Sequence, residues 1–195
     1  KDGFKTLHSR SEEDRKKLLN LEQNYAIQSE ARLEFITDMI LKNHKNALVL
    51  FYRIEYGNKL YDKLRSKTNR RVMYIDGSTD KDLREKHKEN LEDGEQKIMI
   101  ASYGTFSTGI NVTNIHTIYL TESFKSEVII RQSIGRGLRK HADKKKLLII
   151  DFIDDYRSGR FTNYLYKHSL ARQEIYAEQN FPYIVKTIDL KKNYS

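Results

Sequence analysis

The sequence predicts an α/β protein: a mostly parallel sheet flanked by helices, with an N-terminal helix before it and a C-terminal helical extension after it. Three observations carry this. The short unbroken apolar run Ala47-Leu48-Val49-Leu50-Phe51-Tyr52 has the look of a strand buried on both faces, and Leu147-Leu148-Ile149-Ile150 reads as another strand. Between the runs lie stretches with helical periodicity, and strands alternating with helices build a parallel sheet. Polar and turn-forming residues close several runs, namely Asp76-Gly77, the stretch from Gly104 to Asn111, and Asp151. Sheets of this kind bind ligands beyond the carboxyl ends of their strands.

In chain order, Ser11 to Asn24 reads as a polar helix with Ser11 as its N-cap. Its apolar content is thin, which predicts a surface position. Gln28 to Asn43 is a second helix, with Leu33, Ile36, Ile40 and Leu41 in one stripe. The first strand is Ala47 to Tyr52, and the next helix presents Leu60, Tyr61 and Leu64. Arg71 to Ile75 is a second strand. Thr79-x-x-Asp82 resembles a capping box opening a charged helix that runs to about Leu91 and stops at Asp93-Gly94. Lys97 to Ala101 is a third strand, followed by a loop with Gly104 and Gly109. His116 to Leu120 is a fourth strand, Ser126 is placed to cap a helix, and Leu147 to Asp151 is the last strand. Arg157 to Asn180 reads as a closing helix whose apolar face holds Phe161, Tyr164, Leu165, His168, Ile175 and Tyr176; Pro182 ends it. Tyr183 to Leu190 reads as an extra strand or a strap.

Composition limits the possibilities. The 195 residues suffice for one ordinary domain with helical additions. Hydrophobic residues make up 38% and charged residues 32%, and no apolar run approaches the ~20 residues a membrane helix needs. No signal peptide is read at the start. Cysteine is absent from the sequence, which excludes disulfides and thiolate metal sites. The histidines show no ligand spacing, so no metal site is expected on these residues. A net charge of +9 favours a polyanionic partner.

The most informative stretch is Gln132-Ser133-Ile134-Gly135-Arg136-Gly137-Leu138-Arg139, a Q-x-x-G-R-x-x-R pattern. On a helix, Arg136 and Arg139 share one side. A planar, permanently charged fork of donors suits phosphate, and stabilising charge on a transferring phosphoryl group is what an arginine finger does. The same stretch also reads as a basic helix end, since Lys140, His141 and Lys144 to Lys146 follow.

The order of the pieces decides between these readings. Leu48 to Tyr52, then Ala101 to Asn111 with Ser107-Thr108-Gly109-Ile110-Asn111, then Gln132 to Arg139 resemble motifs IV, V and VI of the second RecA-like domain of superfamily 2 helicases. The likeness covers about Ala47 to Asp151. The Ala101 to Gly109 and Gly135 to Lys140 segments look similar to the UvsW-type recombination helicases of tailed phages. Asn111 departs from the Asp often found in motif V, which puts a contact from it to a ribose hydroxyl in doubt.

The resemblance implies a RecA-like domain at 46–156, a helical lead-in at 1–45 from a first motor domain, and an extension with a tail at 157–195. It implies an ATP-dependent helicase or translocase acting on single-stranded or branched DNA in recombination, repair and replication-fork processing. Arg136 and Arg139 would be arginine fingers, and Gly109, Asn111 and Gln132 would lie with them toward the nucleotide. Arg53, Gly77, Ser107, Thr108 and Lys140 would meet the nucleic-acid backbone, without sequence specificity. ATP and Mg²⁺ would be held mainly by the N-terminal RecA-like domain of the same polypeptide. These residues contain no G-x-x-x-x-G-K-[ST] string and no D-E-x-[HD] run, so the chain alone is expected to hydrolyse ATP negligibly. The host cytoplasm is the expected location if a phage encodes it. An RNA helicase domain and a non-catalytic RecA-like binding module are the alternatives. Gly77 and Gly109 also read as plain turn residues, Arg84 as a surface or ion-pair residue, His168 as a packed histidine, and the tyrosines of the last part as packing residues.

Overall fold

Strands β1 (Ala47–Phe51), β2 (Val72–Ile75), β3 (Ile98–Ser102), β4 (Thr117–Leu120) and β5 (Leu148–Asp151) form a parallel sheet in the order β2-β3-β1-β4-β5. This computed structural model describes residues 11–109, 112–123, 131 and 146–190, and of 107–109 the backbone alone. The register is even: Phe51 lies opposite Ser102, Ile75 opposite Ala101, and Leu120 opposite both Leu50 and Asp151. The carboxyl ends of all five strands therefore come to one edge. β1 sits in the middle, and every residue of β1 and β3 is buried, as their unbroken apolar runs require.

Helices α1 (Glu12–Gln28), α2 (Glu30–Leu41), α3 (Ile54–Lys67), α4 (Lys81–Glu92), α5 (Tyr103–Gly109) and α6 (Tyr164–Glu178) complete the described elements. These residues fall into two compact units. One holds 36–122, 131 and 146–152; the other holds 11–35, 123 and 153–190.

In the sheet unit, α3 buries Tyr56, Gly57, Leu60 and Leu64. Phe51 lies fully buried and stacks on Tyr74 with ring centroids 5.4 Å apart. The amino edge of the sheet is tied off by two polar side chains, Asn46 buried and Arg70 half-buried. Asn46 donates to the carbonyls of Leu91 (3.0 Å) and Gly94 (2.7 Å) and accepts from the Lys97 amide (2.9 Å). The Arg70 guanidinium donates to the carbonyls of Asn43, Lys45 and Gln96 at 2.6, 2.9 and 2.7 Å. Loops at that end are thus satisfied from within, which buried backbone demands.

In the helical unit, α1 does more than the sequence suggests. Ser11 is its N-cap as expected, but the helix runs to Gln28 and buries Leu18, Glu22, Ala26 and Ile27. It keeps the surface position expected for it, with its outer side exposed and these four residues on the inner side. α6 begins at Tyr164, not Arg157. Residues ahead of it form a turn with a Ser158–Phe161 bridge and Gly159 at φ +58, a left-handed backbone that glycine adopts without strain. Its N-cap Asn163 makes no side-chain cap bond, because that amide is used elsewhere: Oδ1 accepts from Tyr156 N–H and Nδ2 donates to the Asp154 carbonyl. The Leu165 N–H is instead taken by Glu22 Oε2 at 3.0 Å, from 143 residues away. Beyond α6, Asn180 turns the chain at φ 53, and 181–189 has no regular structure. No helix among the described residues is long and apolar enough to cross a membrane.

Candidate nucleic-acid interface

The carboxyl edge of the sheet gathers the corners singled out by sequence. After β1 come Tyr52 and Arg53; after β2 come Asp76 and Gly77; β3 runs straight into α5; β5 ends on Asp151. Each corner has its own local cause.

Arg53 is the N-cap residue of α3 and supplies no side-chain cap bond. The backbone leading into the helix is held by Glu122, just past β4: its Oε2 accepts from the Tyr52 N–H at 2.6 Å and the Arg53 N–H at 3.0 Å. Glu122 is only 6% exposed. Next to it, Thr121 Oγ1 donates to the Leu50 carbonyl at 2.7 Å, and the Tyr103 hydroxyl donates to the Glu122 carbonyl at 3.4 Å.

At the second corner the Asp76 carboxylate accepts from Ser78 N–H (2.9 Å), Ser78 Oγ (2.7 Å) and Thr79 Oγ1 (3.3 Å). Burial opposes its ionisation, but those bonds and the Tyr74 hydroxyl outweigh it and hold the carboxyl below its usual range. The capping box expected at Thr79 is corrected here. Asp80 is the N-cap of α4 and accepts from the Asp82 and Leu83 amides at 2.8 and 3.4 Å, while Thr79 Oγ1 turns back to accept from the Asp76 N–H at 2.9 Å. A carboxylate one residue on suits the positive helix end better than a hydroxyl. Arg84 is half-buried and donates to the Thr79 carbonyl at 3.0 Å, fastening α4 to this turn. Gly77 is exposed, its backbone is not left-handed, and a Cβ there would meet nothing within 4 Å. Neither turn geometry nor packing against the described residues requires glycine at that position.

The loop expected from Gly104 is a short helix, α5. Ser102 starts it: its hydroxyl accepts from the Thr105 N–H at 3.3 Å and donates to Thr105 Oγ1 at 2.8 Å. Ser107, Thr108 and Gly109 lie in α5 by their backbone. Asn111, Ser126, Gln132, Arg136, Arg139 and Lys140 lie outside the described residues.

One chemical consequence follows. Helix N-termini at such an edge are natural anion sites, yet Asp80 occupies two first-turn amides of α4 and Ser102 one of α5. At α3 the Glu122 carboxylate holds the N–H of Arg53, the N-cap residue. Sequence reasoning missed Glu122 and Ser102, although each is a polar residue closing an apolar run at the carboxyl end of a strand. No group of three or more His, Asp or Glu able to hold a metal ion is found among the described residues.

This parallel sheet with flanking helices and its ligand edge is of the RecA-like class, and the chain belongs to the helicase conserved C-terminal domain family, whose model matches residues 31–141. Among relatives, it is 35% identical over 161 residues to the ATP-dependent DNA helicase UvsW of Enterobacteria phage T4. That match takes in 77% of this chain but 32% of the relative, so the chain spans about a third of that protein's length. The crystal structure of T4 UvsW superposes with a TM-score of 0.75 at 31% identity, over 97% of this chain and 39% of that one. The C-terminal domain of the DEAD-box protein Dbp5 shares the fold, with a TM-score of 0.61 at 16% identity over 80% of this chain and 82% of that one.

Proposed function

We propose that this chain is the second motor domain of an ATP-dependent superfamily 2 DNA helicase or translocase, working on single-stranded or branched DNA in recombination, repair and replication-fork processing. On this reading 46–156 is the motor domain proper, 1–45 leads in from an N-terminal RecA-like domain of the same polypeptide, and 157–195 is an extension. The observation that carries it is the gathering of the motif IV corner, the Asp76-Gly77 turn and the start of motif V at one sheet edge. Family membership and the likeness to a DNA helicase support it.

ATP enters as substrate, with Mg²⁺, in a cleft whose other wall is the first domain. Arg136 and Arg139 contribute guanidiniums to its phosphates, with Gly109, Asn111 and Gln132 beside them. Arg53, Ser107, Thr108 and Lys140 hold the nucleic-acid backbone, and Gly77 lets it approach closely, since none of the described residues fills the space a Cβ would take. Nucleotide can drive closure of the cleft only by binding the closed form better than the open one. The 195 residues alone turn over ATP negligibly.

The test is DNA-stimulated ATPase activity of the intact polypeptide. Arg136→Ala lowers turnover by about 10³- to 10⁵-fold with unchanged circular dichroism. A variant that keeps wild-type turnover overturns the finger assignment. Comparing single-stranded DNA, branched DNA and RNA as activators distinguishes a DNA motor from an RNA one.

A further inference from the structure

Tyr52 is the most exposed aromatic residue among those described, at 59%, against 48% for Tyr183 and 45% for Tyr25. It is the first residue past β1, the central strand, and precedes Arg53. Ile54, on the other side of Arg53, is 47% exposed. An aromatic ring, a guanidinium and an aliphatic side chain therefore stand in succession at the edge where this fold meets its ligands. Surface economy gives no reason for this pair of apolar neighbours.

The backbone beneath the ring is fixed. A single carboxylate oxygen of Glu122 holds the N–H groups of both Tyr52 and Arg53. Phe51 below is fully buried against Tyr74. An exposed ring on a fixed backbone has met the backbone part of the ordering cost of binding. Base faces stack on such rings regardless of sequence, which suits a protein that tracks a strand instead of reading it. Glu122 matters in a second way. It fixes the backbone from which the Arg53 side chain departs as well as that of Tyr52.

We infer that Tyr52 stacks on a base of a bound single strand, and that Glu122 is the positioning residue that sets the Tyr52-Arg53 corner for it. This rests on the nucleic-acid reading above. It adds a base contact to an interface otherwise made of backbone contacts.

The experiment is fluorescence-anisotropy titration of the chain with a labelled oligothymidylate of about 12 nucleotides, within the usual span of a single-strand site, and with an abasic deoxyribose-phosphate strand of equal length. Tyr52→Ala weakens oligothymidylate binding about tenfold and leaves the abasic strand unaffected; Tyr52→Phe retains wild-type binding. Arg53→Ala weakens both strands. Glu122→Gln keeps an acceptor oxygen and stays near wild type. Glu122→Ala weakens oligothymidylate binding, and adding Tyr52→Ala to it costs little more, the non-additivity expected of coupled residues. Additive losses overturn the positioning role of Glu122. Equal loss on both strands with Tyr52→Ala overturns stacking. If Tyr52→Ala binds normally while Arg53→Ala does not, this inference fails and the nucleic-acid reading stands. If the wild-type chain binds neither strand, both fall. Should Glu122→Ala not fold, the exposed Tyr52 and Arg53 substitutions carry the test.

Discussion

The Arg32 guanidinium grips Asp154 at two points: Nε donates to Oδ1 at 2.6 Å and Nη2 donates to Oδ2 at 2.9 Å. Both side chains are under a tenth exposed, so α2 and the segment after β5 are joined by a buried, bidentate ion pair across 122 residues of sequence. Such a pair is costly to break because one charge is left buried alone, while an apolar replacement of both is often neutral. Asp154→Ala is expected to destabilise the helical unit by about 3–5 kcal/mol, read by urea denaturation. Arg32→Met with Asp154→Leu should recover most of that loss. A near-zero effect of Asp154→Ala would show that the pair is not the clamp inferred from its geometry.

Glu22 supplies the cap that Asn163 does not. Burial pushes its carboxyl above the ordinary range, against the hydrogen bonds from the Leu165 and Tyr164 amides, the Lys167 charge and the Asn163 side chain. The folded state therefore binds the proton more tightly than the unfolded chain, and stability gained from Glu22 is fully present below the unfolded value and lost as pH rises through the folded one. Glu22→Gln keeps the acceptor without the charge. The expected outcome is that wild type gains stability relative to Glu22→Gln on acidification from neutral pH toward the usual carboxylate range. Parallel melting curves for the two proteins over that window would contradict it.

Gly57 lets α3 lie directly on β1. A Cβ at that position would sit 2.6–2.7 Å from three atoms of the Phe51 ring, and that ring is fully buried and stacked. It has nowhere to go in a close-packed core. Gly57→Ala should lower stability by about 1–3 kcal/mol despite the better helix propensity of alanine, visible as a lower melting temperature. A gain in stability would mean that the helix can lift off the strand without loss.

Assignment of the α4 cap to Asp80 is equally testable. Asp80→Ala should cost about 1 kcal/mol through loss of the bonds to the Asp82 and Leu83 amides. Thr79→Ala should act instead on the Asp76 turn, removing the acceptor of the Asp76 N–H. Amide exchange separates the two: faster exchange at Asp82 and Leu83 for the first, at Asp76 for the second. The reverse pattern would restore a Thr79 cap.

What these substitutions probe divides along a physical line. Apolar runs and helical stripes are local, and they made the strands, the burial of β1 and β3 and the parallel α/β class legible before any coordinates, but not the exposure of Tyr52 or of Leu148 in β5. Alternation of those elements placed Arg53, Asp76 and Gly77 at carboxyl strand ends. Motif order was legible too, and family membership agrees with it. Local reading failed where two adjacent polar residues competed for one task, as Thr79 and Asp80 do, and where a short helix without a stripe, α5, passed for a loop.

The sequence by itself determined which segments would be strands, which polar corners would follow them, and to which family the chain belongs, because period and order need only neighbours along the chain. Tertiary structure alone decided that Glu122 holds the backbone of Tyr52 and Arg53, that Glu22 caps α6, and that Arg32 pairs with Asp154. Those partners lie 69, 143 and 122 residues apart. A buried charge finds its counterpart through space, and no pattern along a single chain records that distance.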